Sequence, residues 1–156
     1  MMPMKFIMPA LLLLSLLTAC KSTSVATDPV NEATLSNVEW QMQELHFLQQ
    51  NTPYFYKRGS ASANNMNLDN DFIKFNNDGT GVYHQTDGVE YPLKWYFADV
   101  QKTAIEYSIE NFRGQQTLNV HWEQIELSKK TLKYIEYKTT GNNNNTIAQI
   151  IRTSKL

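Results

Sequence analysis

Ile105, Tyr107 and Ile109 alternate with Glu106, Ser108 and Glu110, and no other feature of the chain restricts its fold more. A strand with one buried face has this two-residue period and a helix does not. The period returns in Leu93, Trp95 and Phe97 against Lys94 and Tyr96, and again in Leu118, Val120 and Trp122. Beyond Trp122 the apolar phase moves to Ile125 and Leu127, which predicts a bulge near Glu123. Shorter stretches complete the set: 38–48, with Val38, Trp40 and Met42 on one face, then 72–76, 81–86, 132–139 and 147–153. None of these segments has the period of an amphipathic helix.

The eight expected strands are joined mostly by turns. Asn77-Asp78-Gly79 and Asp87-Gly88 carry Asp-Gly, which suits the positive φ angles of a tight hairpin. Arg113-Gly114, Ser128-Lys129-Lys130 and the polar run of Gly141 with the asparagines 142–145 mark further reversals. Strands joined by short turns pair with their sequence neighbours, which gives a meander. Closing the meander on itself removes its exposed edges. The sequence therefore predicts an all-β domain, a small eight-stranded antiparallel up-and-down barrel. A two-sheet sandwich is the competing architecture, but it needs several long crossings. One long connection is present, 49–70, with Tyr54, Phe55 and Tyr56 followed by a Gly/Ser/Ala/Asn stretch. A loop of that length in a compact domain is functional or disordered.

Ahead of the strands stand two segments of different composition. Residues 6–17 are apolar apart from Pro9 and Ser15, and Lys5 is the only charge before Cys20. Crossing a bilayer takes roughly 20 residues, so this run has the length of a signal-peptide core. It ends in Leu17-Thr18-Ala19-Cys20, which resembles the lipobox of bacterial lipoproteins. That resemblance implies a leader, 1–19, removed before Cys20, and acyl chains on the cysteine thiol and on the new amino group. One chain binds a membrane marginally and two anchor it. It also implies a lipid-anchored place in the cell envelope. Lys21 stands where an aspartate would retain such a protein in the inner membrane, and so points to the outer membrane. A buried cysteine or a plain secretory signal are the alternatives for Cys20. It is the single cysteine of the chain, so no internal disulfide staples the exported domain. The polar stretch up to residue 34 reads as a tether, 20–34, and the domain as 35–156. With 14 basic and 15 acidic side chains and no basic stripe, nucleic acid is not an expected partner.

Several motifs resemble the lipocalin-like domains of bacterial calycins. Phe75-Asn76-Asn77-Asp78-Gly79-Thr80-Gly81 is similar to the Phe-x-x-Asp-Gly-Thr-Gly hairpin of that group, and Trp95-Tyr96 to its following Trp-x-Tyr strand. Trp40 lies where the group carries a first-strand Gly-x-Trp tryptophan, with Asn37 or Val38 in place of the glycine. Arg152 sits where such barrels set an arginine across that tryptophan. The resemblance covers about 35–153 and implies a lipocalin-like barrel. A cation–π contact of Arg152 on Trp40, worth about 0.5–2 kcal/mol, is one reading of the arginine. An exposed arginine near the C-terminus is the other.

Chemistry is sparse. No Gly-x-Ser-x-Gly elbow, Gly-rich phosphate loop or His-Glu-x-x-His is present, and an enzyme is not expected. Glu106 with Glu110, and Glu123 with Glu126, read as solvated strand faces rather than as a glycosidase pair. His46, His84 and His121 come from different strands without ligand spacing, so neither a metal nor a cofactor is expected. The aromatics carry more. Tyr83, Trp95, Tyr107 and Trp122 fall on or near inward faces, where they either fill the core or line a site for one small ligand. Tyr54 and Phe55 head a segment, 54–58, that either caps the barrel mouth or dips into a lipid interface. Two functions follow: binding of a small apolar or amphipathic ligand inside the barrel, or a filled barrel meeting an envelope protein through its outer surface.

Overall fold

A computed structural model describes residues 29–114, 117–140 and 144–155, with the side chains of 139, 140, 144 and 145 left aside. The leader, Cys20 and the tether up to residue 28 lie outside the described residues.

Nine strands form one antiparallel sheet among the described residues. They are β1 (Glu39–Gln49), β2 (Thr52–Lys57), β3 (Phe72–Phe75), β4 (Thr80–His84), β5 (Glu90–Phe97), β6 (Ile105–Ile109), β7 (Leu118–Leu127), β8 (Thr131–Thr140) and β9 (Asn144–Ser154). β1 pairs with β3, each strand from β3 to β8 pairs with the next, and β9 returns to pair with β1 from Trp40↔Ser154 to Phe47↔Ala148. The result is the expected closed eight-stranded barrel, with β2 as one extra strand. The phase change in β7 is also where it was expected. The β7–β8 register shifts between Glu123 and Glu126, and Gln124 takes φ +53°.

β2 is the strand that the sequence did not reveal. Its register with β1 runs from Glu44↔Lys57 to Gln49↔Thr52, leaving Gln50 and Asn51 as a two-residue loop with φ +49° and +64°. Two positive φ angles make this the hairpin turn that usually carries Asn-Gly. Gln-Asn fills it here, so the usual sequence signal is missing. The Asp-Gly turns are looser than expected. Only Gly79 and Gly88 have positive φ there, and the bonds Asn76 N→Thr80 O and Gln85 N→Val89 O each enclose three residues. That is a type I turn followed by a left-handed glycine. At the start of β1, Asn37 adopts φ +61°, so the asparagine takes up a conformation that usually favours glycine.

The long connection is ordered by its own side chains. Asn65 accepts from Phe55 N (2.9 Å) and donates to Pro53 O (2.8 Å), while Asn64 accepts from Lys57 N (2.8 Å) and donates to Lys57 O (3.0 Å). These amides satisfy the outer edge of β2 as a neighbouring strand would. Arg58 then bridges the seam where β2 gives way to β3, donating from Nε to Met42 O (2.9 Å) and from Nη2 to Asp69 O (2.9 Å).

The fold also begins earlier than the expected boundary at residue 35. Val30 is buried and donates its backbone N–H to Lys102 O (2.7 Å). Asn31 caps a single helical turn, α1 (Glu32–Leu35), and accepts from Thr34 N. Leu35 is fully buried, and its carbonyl accepts from Trp40 Nε1 (2.8 Å). This plug closes one end of the barrel. The segment from Pro29 onward thus contains its own core and a closed sheet.

Above the plug the barrel is packed with rings. Phe75 meets Trp95 and Trp122 edge-on at 5.2 and 5.4 Å, and Trp122 stacks on Tyr134 at 3.7 Å. Such pairs contribute about 0.5–1.5 kcal/mol each beyond burial. Gly81 lets β4 lie close to its neighbours on both sides. A Cβ there would collide with the Lys74 carbonyl oxygen and lie 2.7 Å from Leu93 Cδ1. Gly81→Ala is therefore expected to destabilise the barrel by about 1–3 kcal/mol through overpacking. Urea unfolding measures this, and an unchanged midpoint would show that β4 and β5 can part at no cost.

Candidate ligand cavity

The barrel is filled only in part. Towards the end opposite the plug lies a cavity of about 400 Å³. Its apolar wall comes from the seam strands: Met42, Leu45 and Phe47 of β1, and Ala148 and Ile150 of β9. Met66 and Leu68 of the long connection add to it, as does Phe112 between β6 and β7. Tyr83 and Tyr107 line it from β4 and β6. Around the mouth stand Gln49, Gln85, Thr86, Arg113, Lys138 and Thr146.

The floor is charged. Asp71, Glu136 and Arg152 are each at most 3 % exposed, and all three line the cavity. Burying a charge costs several kcal/mol unless it is paired and hydrogen-bonded, and here the partners are supplied. Arg152 Nε donates to Tyr134 Oη (2.8 Å), Nη1 donates to Trp40 O (2.9 Å), and Nη2 lies 2.9 Å from Asp71 Oδ1. Asp71 Oδ2 accepts from Tyr83 Oη (2.6 Å). Glu136 accepts from Trp122 Nε1 (3.0 Å) and pairs with Lys138 Nζ (2.8 Å). Although Asp71 Oδ1 is within ion-pair distance of Arg152, no hydrogen bond is aligned on it, and Thr86 Oγ1 also lacks a partner.

Burial, and then the charge of Asp71, push the Tyr83 hydroxyl well above its usual range; burial, and then Glu136, do the same for Tyr107. Burial also raises Tyr134, against the opposing pull of Arg152. For Arg152 burial works against the charge, but Tyr134 and Asp71 outweigh it and the net shift is upward. The phenols at and beside the floor thus stay neutral, and Arg152 stays a cation, at neutral pH.

The six aromatics singled out in the sequence separate. Tyr83 and Tyr107 line the cavity. Trp95 and Trp122 lie in the ring-packed layer, their N–H groups spent on Asn76 O and Glu136. Tyr54 stacks on Phe47 at 4.6 Å, on the inward side of β2, while Phe55 lies against His46 on the other face at 4.5 Å. The segment 54–58 is not a lid, because most of it is β2, held along β1 by the ladder. Met66 and Leu68, further along, are what reach the cavity. Arg152 differs from both of its expected forms: it is buried, and it meets Trp40 through the backbone carbonyl, not the ring.

A signal for the floor was present in the sequence. Asp71 is in phase with Ile73 and Phe75, Glu136 with Leu132 and Tyr134, and Arg152 with Ala148 and Ile150. Three charges in the inward phase of three strands mark a polar interior. Elsewhere, His121 lies between Glu106 (3.4 Å) and Glu123 (3.1 Å) on the outer face. Among the described residues no cluster of His, Cys, Asp and Glu is placed to hold a metal ion.

Removing Arg152 alone would leave Asp71 buried without its counter-charge. Arg152→Met is expected to cost about 3–5 kcal/mol, and the double change Arg152→Met with Asp71→Leu to cost less. Urea unfolding of the three chains decides this. A double variant no more stable than the single one would mean that the pair's charge is not what the floor requires.

No family model, curated protein or solved structure matches this chain.

Proposed function

We propose that the chain is a lipid-anchored binding protein of the bacterial cell envelope, with Cys20 as its anchor and a small apolar or amphipathic molecule held in its lipocalin-like barrel. The observation that carries this reading is the cavity of about 400 Å³, with apolar walls and a few converging polar groups. Sites for small molecules have that size and that mixture. At about 30 Å³ per water, the space equals roughly 13 waters, enough for a ligand of some ten to fifteen heavy atoms. Tyr83 and Tyr107 are its polar aromatic contacts, and the packed tryptophans beneath act as a rigid base. The apolar run 6–17 and the lipobox-like residues 17–20 support the anchor, and Lys21 supports the outer membrane.

The competing reading, an envelope interaction protein working through its outer surface, draws on Leu48 and Ile147, both large, apolar and more than half exposed. One experiment separates the two. A chain of residues 29–156, which keeps the Val30–Leu35 plug, is exposed to an envelope lipid and metabolite extract and examined by native mass spectrometry. A stoichiometric added mass that Ala148→Phe abolishes, with an unchanged circular dichroism spectrum, is the expected result. A spectrum that stays bare would transfer the function to the outer surface.

The anchor has its own test. Cys20→Ser is expected to abolish incorporation of radiolabelled palmitate and to release the chain from the membrane fraction. Label retained by the serine variant would rule out acylation at this cysteine.

A further inference from the structure

We infer that the cavity selects amphiphiles with an anionic head, carboxylate or phosphate, held at the mouth by Arg113 and Lys138. The inference rests on the cavity reading above and specifies its ligand.

Five ionic side chains line the cavity: Arg113, Lys138 and Arg152 against Asp71 and Glu136. The lining is therefore positive by one charge, although the whole chain has a net charge of −1. The excess is not at the floor. All three guanidinium nitrogens of Arg152 are engaged, with Tyr134, Trp40 and Asp71. An anion reaching that depth would compete with Asp71 for Arg152 and would face the Asp71 carboxylate itself. A cation would have to displace Arg152 from Asp71 or Lys138 from Glu136.

The excess lies at the rim. Arg113 is exposed, its guanidinium rests over the Phe112 ring at 5.3 Å, and its hydrogen bond to Gln85 uses Nε alone. Stacked in this way it keeps its planar fork for a carboxylate or phosphate. Lys138 is half-exposed on β8, three donors on one ammonium, with Glu136 as its ion-pair partner. The other mouth side chains, Gln49, Gln85, Thr86 and Thr146, are neutral. Across the barrel, Met42, Leu45, Ala148 and Ile150 offer an apolar wall and no charge. A ligand that matches this distribution is long, apolar and singly headed. Its tail lies on the seam of β1 and β9, and its head lies at the rim on the side of β6 to β8.

Isothermal titration calorimetry with four probes of equal tail tests this on residues 29–156: undecanoate, decyl phosphate, decanol and decyltrimethylammonium. Both anions are expected to bind one-to-one, and at least one of them about tenfold more tightly than decanol, as one charge-assisted contact provides. The preferred anion tells a carboxylate from a phosphate head. Arg113→Gln, at an exposed site, is expected to lower anion affinity about tenfold and leave decanol unchanged. Lys138→Gln is made together with Glu136→Gln, so that no acid is left buried alone. Decanol binding as tightly as the anions, or the ammonium binding best, would overturn the anionic head and leave the cavity reading standing. No saturable binding by any probe would overturn both.

Discussion

The structure depends on one buried guanidinium. Arg152 lies in the last strand, opposite Met42 of the first. It reaches the backbone of β1 at Trp40, the phenol of Tyr134 on β8, and Asp71 just ahead of β3. These groups surround the point where the barrel closes. A meander has two edges, and only the β1–β9 ladder joins them. The ladder by itself fixes hydrogen bonds, and identical bonds are available after a slip in register. An arginine whose donors must find three particular acceptors is satisfied in one register only. Arg152 thereby couples barrel closure to a buried charge pair, at a cost in desolvation that hydrophobic residues would not incur.

The same group sets the level at which packing stops. Below it the inward positions hold Trp40, Phe75, Trp95 and Trp122, and an eight-stranded barrel is just wide enough for such side chains to fill. Above it the inward positions of the seam are mostly aliphatic, Met42, Leu45, Ala148 and Ile150, with Phe47 further along β1. Glu136 and Asp71 are held to the walls by Trp122, Lys138, Tyr83 and Arg152, so they do not fold over the gap. The cavity is the volume left between a rigid ring-packed base and polar groups that already have partners.

How much of this was legible follows from what each feature leaves in a sequence. The alternation in β5, β6 and β7 gave eight strands, their meander and the phase change at Gln124, because half-buried strands write their burial directly into residue order. β2 was hidden for two reasons. Its turn uses Gln50-Asn51 in place of a glycine-containing pair, and its outer edge is satisfied by the side chains of Asn64 and Asn65, which read as loop composition. The helical turn at Glu32–Leu35 is too short to show a period. For the cavity, Tyr83 and Tyr107 were legible and Trp95 and Trp122 were not separable from them. All four share the inward phase, and only depth along the barrel distinguishes lining from packing. Arg152 stands out for its place near Trp40, whereas its in-phase companions Asp71 and Glu136 belong to no motif that would single them out.

Those three residues show what the apolar pattern conveys beyond fold. A charge on the outward face of a strand adds solubility and says little more. A charge on the inward face must be compensated, and the compensation brings distant segments together. Asp71, Glu136 and Arg152 come from the entry to β3, from β8 and from β9, and their partners extend to β1, β4 and β7. Each strand keeps its period intact while giving one inward position to a polar group. Well-packed apolar residues would hold a barrel as firmly at lower cost in desolvation, but they would not tie its closure to one register. Paired across these strands, the charges at the floor of the cavity are held by groups of the barrel itself.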